Sequence, residues 1–492
     1  MDLLVGDVFR NAARAVPDRL AAAHQGRTLS YGELDRRANQ VARALVACGI
    51  GHHDRVVSWT TTTLDVVPLF AALAKLGAAF APASPLLGEA EGTDMIASAR
   101  PSLLAVDADR VEMGTRIGKQ LGVPVLSIDR GGMLAEAADE QPDTDVPSPP
   151  ALTERDTHVL FFTSGSTGRP KGVVLSHRAN MLRTHPGAQL EPRGALVCPY
   201  PLFHMGAWTL ALQQWQARDA VIFSGADAAA ICDAITRYRA ARLNAIPGVW
   251  RRILDYVATN DVGTSTMRFA DTGTSATPPE LLEAIAQAFP SANVRVFYGS
   301  TETGSVASLQ HEDIARKPGS CGPPAPFVEV RVDDEGELWV HSVVQFDGYF
   351  GDEEATKAAL VDGWFRTGDL ADVDDEGYLS IVGRARDVIR TGGETVAPSE
   401  VEEVLRGEPS VADVAVVGLH DDTWGEVVCA AVVVRAGHEP PTVEGLRAHC
   451  AGRLAGFKQP RRVVVVAEVP RSAGNGNVQR RLLLERLDGT VF

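Results

Sequence analysis

Residues 161–172 read FFTSGSTGRPKG. An apolar run that begins at His158 stops abruptly at six small residues, Thr163, Ser164, Gly165, Ser166, Thr167 and Gly168, and Lys171 follows. Glycine lets consecutive backbone N–H groups turn toward one point, and short hydroxyl side chains add further donors. A loop of this kind at the end of a buried strand can therefore converge on an anion. A plain Ser/Gly surface turn has the same composition. The G-x-x-x-x-G-K-[ST] spacing is missing, which separates this stretch from P-loop kinases and ATPases.

Working outward, short apolar runs alternate with helical stretches: RVVSW at 55–59, SLLAVD at 102–107 and VPVLSID at 123–129. That alternation predicts α/β layers around a partly parallel sheet. Residues 29–50, LSYGELDRRANQVARALVACGI, predict an amphipathic helix. Ser30 and Glu33 form its capping box, and Leu34, Val41, Ala42 and Leu45 mark its apolar face. The Pro- and Asp-rich stretch at 138–156 reads as a connection. The best boundary lies in GRARDVIRTGG at 383–393, dividing the chain into a large α/β portion, 1–386, and a small α+β portion, 387–492. The latter predicts a helix capped at Ser399, strands at 411–418 and 426–434, a helix near 443–454 and a strand at 461–469.

At 492 residues and 45% hydrophobic, the chain can build ordinary globular cores. A formal net charge of −16 disfavours nucleic acid as a partner. The six cysteines, at 48, 198, 232, 321, 429 and 450, show neither a CxxC pair nor zinc spacing and read as reduced thiols of a cytoplasmic protein. The first residues lack the basic and apolar regions of a signal peptide, and no apolar run is long enough to span a membrane. Only six of the 47 basic residues are lysine, so each retained lysine carries interest.

Four further stretches follow in order: YGSTETG (298–304), GWFRTGDLA (363–371), GRARDVIRTGGETVAPSEVEEVL (383–405) and GFKQP (456–460). Together with the Ser/Thr/Gly loop they closely resemble the adenylate-forming superfamily, in its acyl-CoA ligase branch. The resemblance implies an acyl-CoA ligase that uses ATP, Mg²⁺ and coenzyme A to convert a hydrophobic carboxylic acid to its thioester through an acyl-adenylate. It assigns the ATP phosphates to Thr163–Gly168 and Lys171, the adenine to Tyr298 and Gly299, and the α-phosphate to Thr301. Glu302 would hold Mg²⁺, Asp369 both ribose hydroxyls, and Arg384 the ribose or phosphate. Asp387 would be the hinge of the small domain, and the Gly392–Gly393 stretch, Gly393 in particular, would border the CoA channel. His204, in PLFHMG, matches the histidine between acyl pocket and thiol channel; in isolation a histidine in an apolar stretch is more often packed in a core.

There are departures. The family's Gly-Gly-Ala-Pro stretch beside adenine and acyl group is GTSA here, with Gly273, Thr274 and Ser275. Trp208, Ala245, Ile246, Pro247, Trp250 and Ser275 are candidates for pocket walls, although each taken alone reads more readily as ordinary core packing. The aspartate that pairs with a substrate amine in amino-acid-activating relatives is not found at the matching place.

The largest departure lies in VPRSAGNGNVQRRLL, 469–483. The family's last motif runs proline, basic residue, Thr/Ser, two variable residues and Gly-Lys, with arginine three residues beyond. Anchored at Arg480, the lysine position is Asn477; anchored at Pro470, it is Gly476, because the loop is one residue longer. Neither is lysine. A cation between carboxylate and α-phosphate stabilises the adenylation transition state, and one such donor is typically worth about 100- to 1000-fold. Asparagine is a neutral dipole on a shorter stem. Thiol attack on a preformed acyl-adenylate makes no such demand. Three readings result: a ligase specialised for thioesterification with a separate adenylating enzyme as partner, an ordinary two-step ligase in which Lys458 or a loop rearrangement substitutes, and a silent nucleotide- or acyl-binding relative.

Overall fold

The computed structural model describes residues 2–164, 170–187, 193–391, 394–421, 424–451, 453–472 and 476–488. It divides into two compact units. The first comprises residues 1–318, 325–328 and 341–363; the second comprises 319–324, 329–340 and 364–492. The mixed α/β composition, with a large N-terminal and a small C-terminal part, agrees with the fold expected from sequence.

The first unit contains two large sheets. In the eight-stranded sheet, strands Leu20–His24, Val221–Phe223, Leu196–Cys198, Arg242–Asn244, Phe269–Gly273 and Asn293–Ser300 are mutually parallel neighbours. Antiparallel strands Arg27–Ser30 and Gly304–Leu309 close its two edges. The seven-stranded sheet runs Gly348–Tyr349, Pro170–Ser176, Thr157–Ser164, Ala79–Ala83, Arg55–Trp59, Leu103–Val106 and Val125–Ser127. Its last five members are parallel, and the middle three are buried along almost their whole length because both faces are covered. An aromatic core of Phe9, Phe70, Phe80, Trp208 and Trp215 packs in this unit, with Phe70 stacked on Trp208 at 4.2 Å between ring centroids.

The expected helix spans Tyr31–Ala47, and its capping box is present. Glu33 N donates to Ser30 Oγ at 3.2 Å, and Ser30 N donates to Glu33 Oε2 at 2.8 Å. Leu34, Val41, Ala42 and Leu45 are buried. This helix also presents Asp35 and Asn39 to the ammonium of fully buried Lys75, at 2.6 and 2.5 Å. A buried charge is tolerable only when paired and hydrogen-bonded in this way.

In the second unit the strands expected from sequence form the antiparallel pair Val411–Asp421 and Gly425–Val434, joined in parallel by Arg462–Val465. Helix Pro398–Leu405 covers them through Val401 and Leu405. Its cap differs from expectation. The N-cap is Ala397, whose N–H donates to Glu400 at 3.1 Å, while Ser399 lies inside the first turn and its hydroxyl donates to Val382 O. A serine two residues past the N-cap cannot accept from the third helical N–H, so Glu400 does the capping. The boundary drawn at Asp387 falls inside this unit, and two of its buried clusters consist of residues from Ile389 onward. All six cysteines are free thiols, and no described helix is long and apolar enough to cross a membrane.

Candidate active site

Strands Thr157–Ser164 and Pro170–Ser176 are an antiparallel pair with Thr163 opposite Lys171, so the opening motif is a hairpin. Gly165, Ser166, Thr167 and Gly168, four of its predicted phosphate ligands, lie outside the described residues, as does the side chain of Ser164. Lys171 Nζ sits 4.8 Å from the centre of the Tyr349 ring. Tyr349 is placed there by pairing with Val173, and its hydroxyl donates to Glu302 Oε1 at 3.1 Å. Burial, reinforced by Glu302, holds that hydroxyl far above its ordinary pKa, so it stays a donor. Two sequence-distant motifs thus meet at Lys171 and Glu302, with Tyr349 between them. Sequence reasoning missed Tyr349, which has no local signature beyond a glycine before it.

The YGSTETG motif is the tip of the hairpin formed by Asn293–Ser300 and Gly304–Leu309. Thr303 fastens the turn: its Oγ1 accepts from Ser300 N at 3.0 Å, and its N–H donates to Ser300 Oγ at 3.2 Å. Gly299 is required here, because a Cβ would lie 2.0 Å from Gly304 O. Gly273 pairs with Phe297, and a Cβ on it would lie 2.4 Å from Phe297 O, so Thr274 and Ser275 follow directly beside Tyr298. Thr301 and Glu302 are positioned by Arg183, the last residue of helix His177–Arg183. Its guanidinium donates to Thr301 O at 3.1 Å and to Val344 O. Burial pushes its pKa down to about 10, opposed by Asp347 and Glu302, so it remains a cation at neutral pH. Nothing local in the sequence marks Arg183, because both carbonyl partners are more than 100 residues away.

A second group gathers at the C-terminal ends of the parallel strands Leu196–Cys198, Arg242–Asn244 and Phe269–Gly273, where ligands bind in open α/β sheets. Tyr200 OH donates to Asn244 Oδ1 at 2.8 Å and is also hydrogen-bonded to Thr274. These contacts bring the segment carrying His204 against the GTSA stretch. Thr274 has φ +72°, a left-handed conformation rare for a β-branched residue and costing about 1–3 kcal/mol. His204 Nε2 is buried without a hydrogen-bond partner, and burial lowers the imidazole's pKa. A buried neutral ring with an unused nitrogen is what a contact with a reacting ligand requires. Trp208 and Trp250 are not pocket walls. Both are fully buried and spend their indole N–H on Leu202 O (2.6 Å) and Asp271 O (3.0 Å), which is the core reading.

In the second unit Asp369 and Arg384 are direct cross-strand partners, with Arg384 Nε 2.7 Å from Asp369 Oδ1. Asp369 is buried and Arg384 half exposed. Asp387 is 3.4 Å from Arg480 Nη1, and Arg480 also grips buried Glu402 and Val416 O. The last motif forms its own closed turn. Gln479 N donates to Pro470 O and Ser472 N to Asn477 O, both at 2.8 Å, while Gly476 has φ +73°. Lys458 Nζ is bound to Glu400 Oε2 at 2.6 Å. Gly392 and Gly393 lie outside the described residues.

Residues 9–350 match the AMP-binding enzyme family, and residues 400–476 match the AMP-binding enzyme C-terminal domain. The long-chain-fatty-acid–CoA ligase FadD13 of Mycobacterium tuberculosis is 31% identical, with 99% of each chain covered. Indoleacetate–CoA ligase of Aromatoleum aromaticum is 32% identical over 93% of each. Among solved structures, ATP-bound MatB from Rhodopseudomonas palustris superposes with a TM-score of 0.89 at 28% identity, covering 99% of both chains. Relatives of this family use ATP and coenzyme A on carboxylic acids. With the ordered motifs and the assembled hairpins, these matches show that the chain belongs to the AMP-binding enzyme family of adenylate-forming proteins, on its acyl-CoA ligase branch.

Proposed function

We propose that this protein forms the CoA thioester of a hydrophobic carboxylic acid through an acyl-adenylate, and that it is biased toward the thiol-transfer half of the reaction. The observation that carries the bias is the last motif. Gly476, with its left-handed φ, directly precedes Asn477, and Arg480 follows three residues later. This supports reading Asn477 as the position of the family's lysine, with the extra loop residue falling before Gly476. Lys458 is a poor substitute while its ammonium is engaged by Glu400.

The remaining roles are those the family resemblance implies. Lys171 and the 163–168 loop would take the triphosphate. Tyr298, Gly299 and Gly273–Ser275 would flank the adenine, and Thr301 the α-phosphate. Glu302, oriented by Tyr349, is a hard oxygen donor and fits Mg²⁺, which would neutralise phosphate charge. Asp369 would accept the ribose hydroxyls, with Arg384 holding its carboxylate. His204 would stand between acyl group and thiol. Asp387 would be the hinge dividing 1–386 from 387–492, with Gly393 brought to the pantetheine by the turn. The acyl-adenylate would come from a separate adenylating enzyme.

Two assays on the purified chain test this: pyrophosphate release from acid plus ATP, and thioester formation from acyl-adenylate plus CoA, across long-chain and arylacetic acids. Slow release with efficient thioester formation is expected. Normal release refutes the bias and leaves an ordinary two-step ligase. Failure of both assays favours the silent relative.

A further inference from the structure

We propose that His52, His53 and Asp156 form a binding site for a divalent transition-metal ion of the zinc class, on the face of the first unit remote from the nucleotide motifs. His52 and His53 lie just before strand Arg55–Trp59, and Asp156 lies just before Thr157–Ser164. Both strands lead away from this cluster. Eight residues of extended chain put the far end of the second strand, at Ser164, about 25 Å from Asp156.

The donors are already gathered. One ligand atom from each residue lies within 4.8 Å of the others. His52 Nε2 is 3.1 Å from Asp156 Oδ2, and His53 Nδ1 is 3.9 Å from Asp156 Oδ1. Zinc bonds of about 2.0–2.2 Å at tetrahedral angles separate donors by about 3.3 Å, so the two distances bracket what an ion needs. Two imidazoles and one carboxylate suit zinc and its neighbours, whereas Mg²⁺ prefers oxygen donors alone. With side-chain exposures of 16% and 18%, His52 and Asp156 form the base of the site, and His53, at 69%, is free to swing onto an ion.

The backbone around the cluster is specialised. His53 has φ +69°, uncommon for a residue with a side chain, and its N–H donates to Gly77 O at 3.0 Å. This conformation lays its ring on that of His52, with centroids 3.7 Å apart. Gly77 makes room for the His52 ring, since a Cβ there would lie 2.7 Å from His52 Cδ2. Thr153 donates through N–H (2.7 Å) and hydroxyl (3.2 Å) to Asp156 Oδ2, fixing the carboxylate as hydrogen bonds around metal sites do. A simple His52–Asp156 ion pair requires neither the strained His53 nor the stacked rings. An ion here would tie the loop before Arg55–Trp59 to the end of the Pro-rich connection.

The test uses the full chain, stripped with chelator and dialysed, with Co²⁺ as a visible probe and Zn²⁺ as competitor, in excess Mg²⁺. His53→Asn tolerates the left-handed backbone, and Asp156→Asn keeps the carboxamide shape, so both are expected to fold; unfolding curves without metal check this. One Co²⁺ per chain with tetrahedral d–d absorption, displaced by Zn²⁺ and weakened at least 10-fold in each variant, is the expected result. Binding should be kept in the exposed control His438→Asn. No d–d absorption, or binding equally tight in both variants, would overturn the site.

Discussion

Replacing Arg183 by methionine separates positioning from stability. The guanidinium makes two charge-assisted hydrogen bonds to main-chain carbonyls, of Thr301 and Val344, worth about 1.5–3 kcal/mol each. Against them stands the cost of burying the charge. A pKa pushed from 12.5 to about 10 corresponds to about 3 kcal/mol. Methionine fills much of the volume and removes the charge, so the net loss of stability should be only about 1–3 kcal/mol. The effect on function should be far larger. Thr301 and Glu302 lose the clamp on the Thr301 carbonyl, and a displacement near 1 Å at reacting groups costs about 100-fold. The assay is kcat/KM for thioester formation from acyl-adenylate and CoA, with AMP affinity by calorimetry and a denaturant curve in parallel. A fall near 100-fold with a modest shift in the unfolding midpoint is expected. Unchanged kcat/KM and AMP affinity would show that the turn at Thr301–Glu302 holds itself.

Asp369→Asn should weaken AMP binding by about 10- to 100-fold, since an ionised acceptor is lost and Arg384 loses its carboxylate; calorimetry reads this, and equal affinity would remove Asp369 from the ribose. Asn477→Lys should raise pyrophosphate release only partly toward a two-step ligase, because the longer loop can misplace the ammonium; no gain at all would move the missing cation elsewhere. His177 is held neutral, its pKa lowered from 6.5 to about 4 by burial, with Asp156 opposing and His52 adding to the effect, and its ring 4.8 Å from that of buried His158. In the unfolded chain it protonates near 6.5, so the unfolded state binds the extra proton first. Its contribution is complete above pH 6.5 and is lost as pH falls toward 4, by about 3 kcal/mol. In His177→Gln, denaturant midpoints should fall less steeply over that window than in the unaltered chain.

Local chemistry made much of this protein readable. The Ser30–Glu33 capping box, the apolar stripe of the helix behind it, and the alternation of strands and helices depend on neighbours three or four residues away or on runs of a single character. The motif glycines were legible for the same reason, standing where a Cβ has no room, as at Gly273 and Gly299. Cap placement failed at Ser399 because Glu400 competes for the same turn, and the serine hydroxyl found Val382 O instead. Tertiary structure alone decided the rest. Arg183 finds carbonyls 118 and 161 residues away, Tyr349 reaches Glu302 across two sheet edges, and Thr274 is held left-handed beside Tyr200. It also sorted the tryptophans, sending Trp208 and Trp250 into the core, and brought His52 and His53 to Asp156 from 100 residues away. A sequence carries the chemical type of each group, but which buried donor meets which distant acceptor is set only when the packed sheets bring them together.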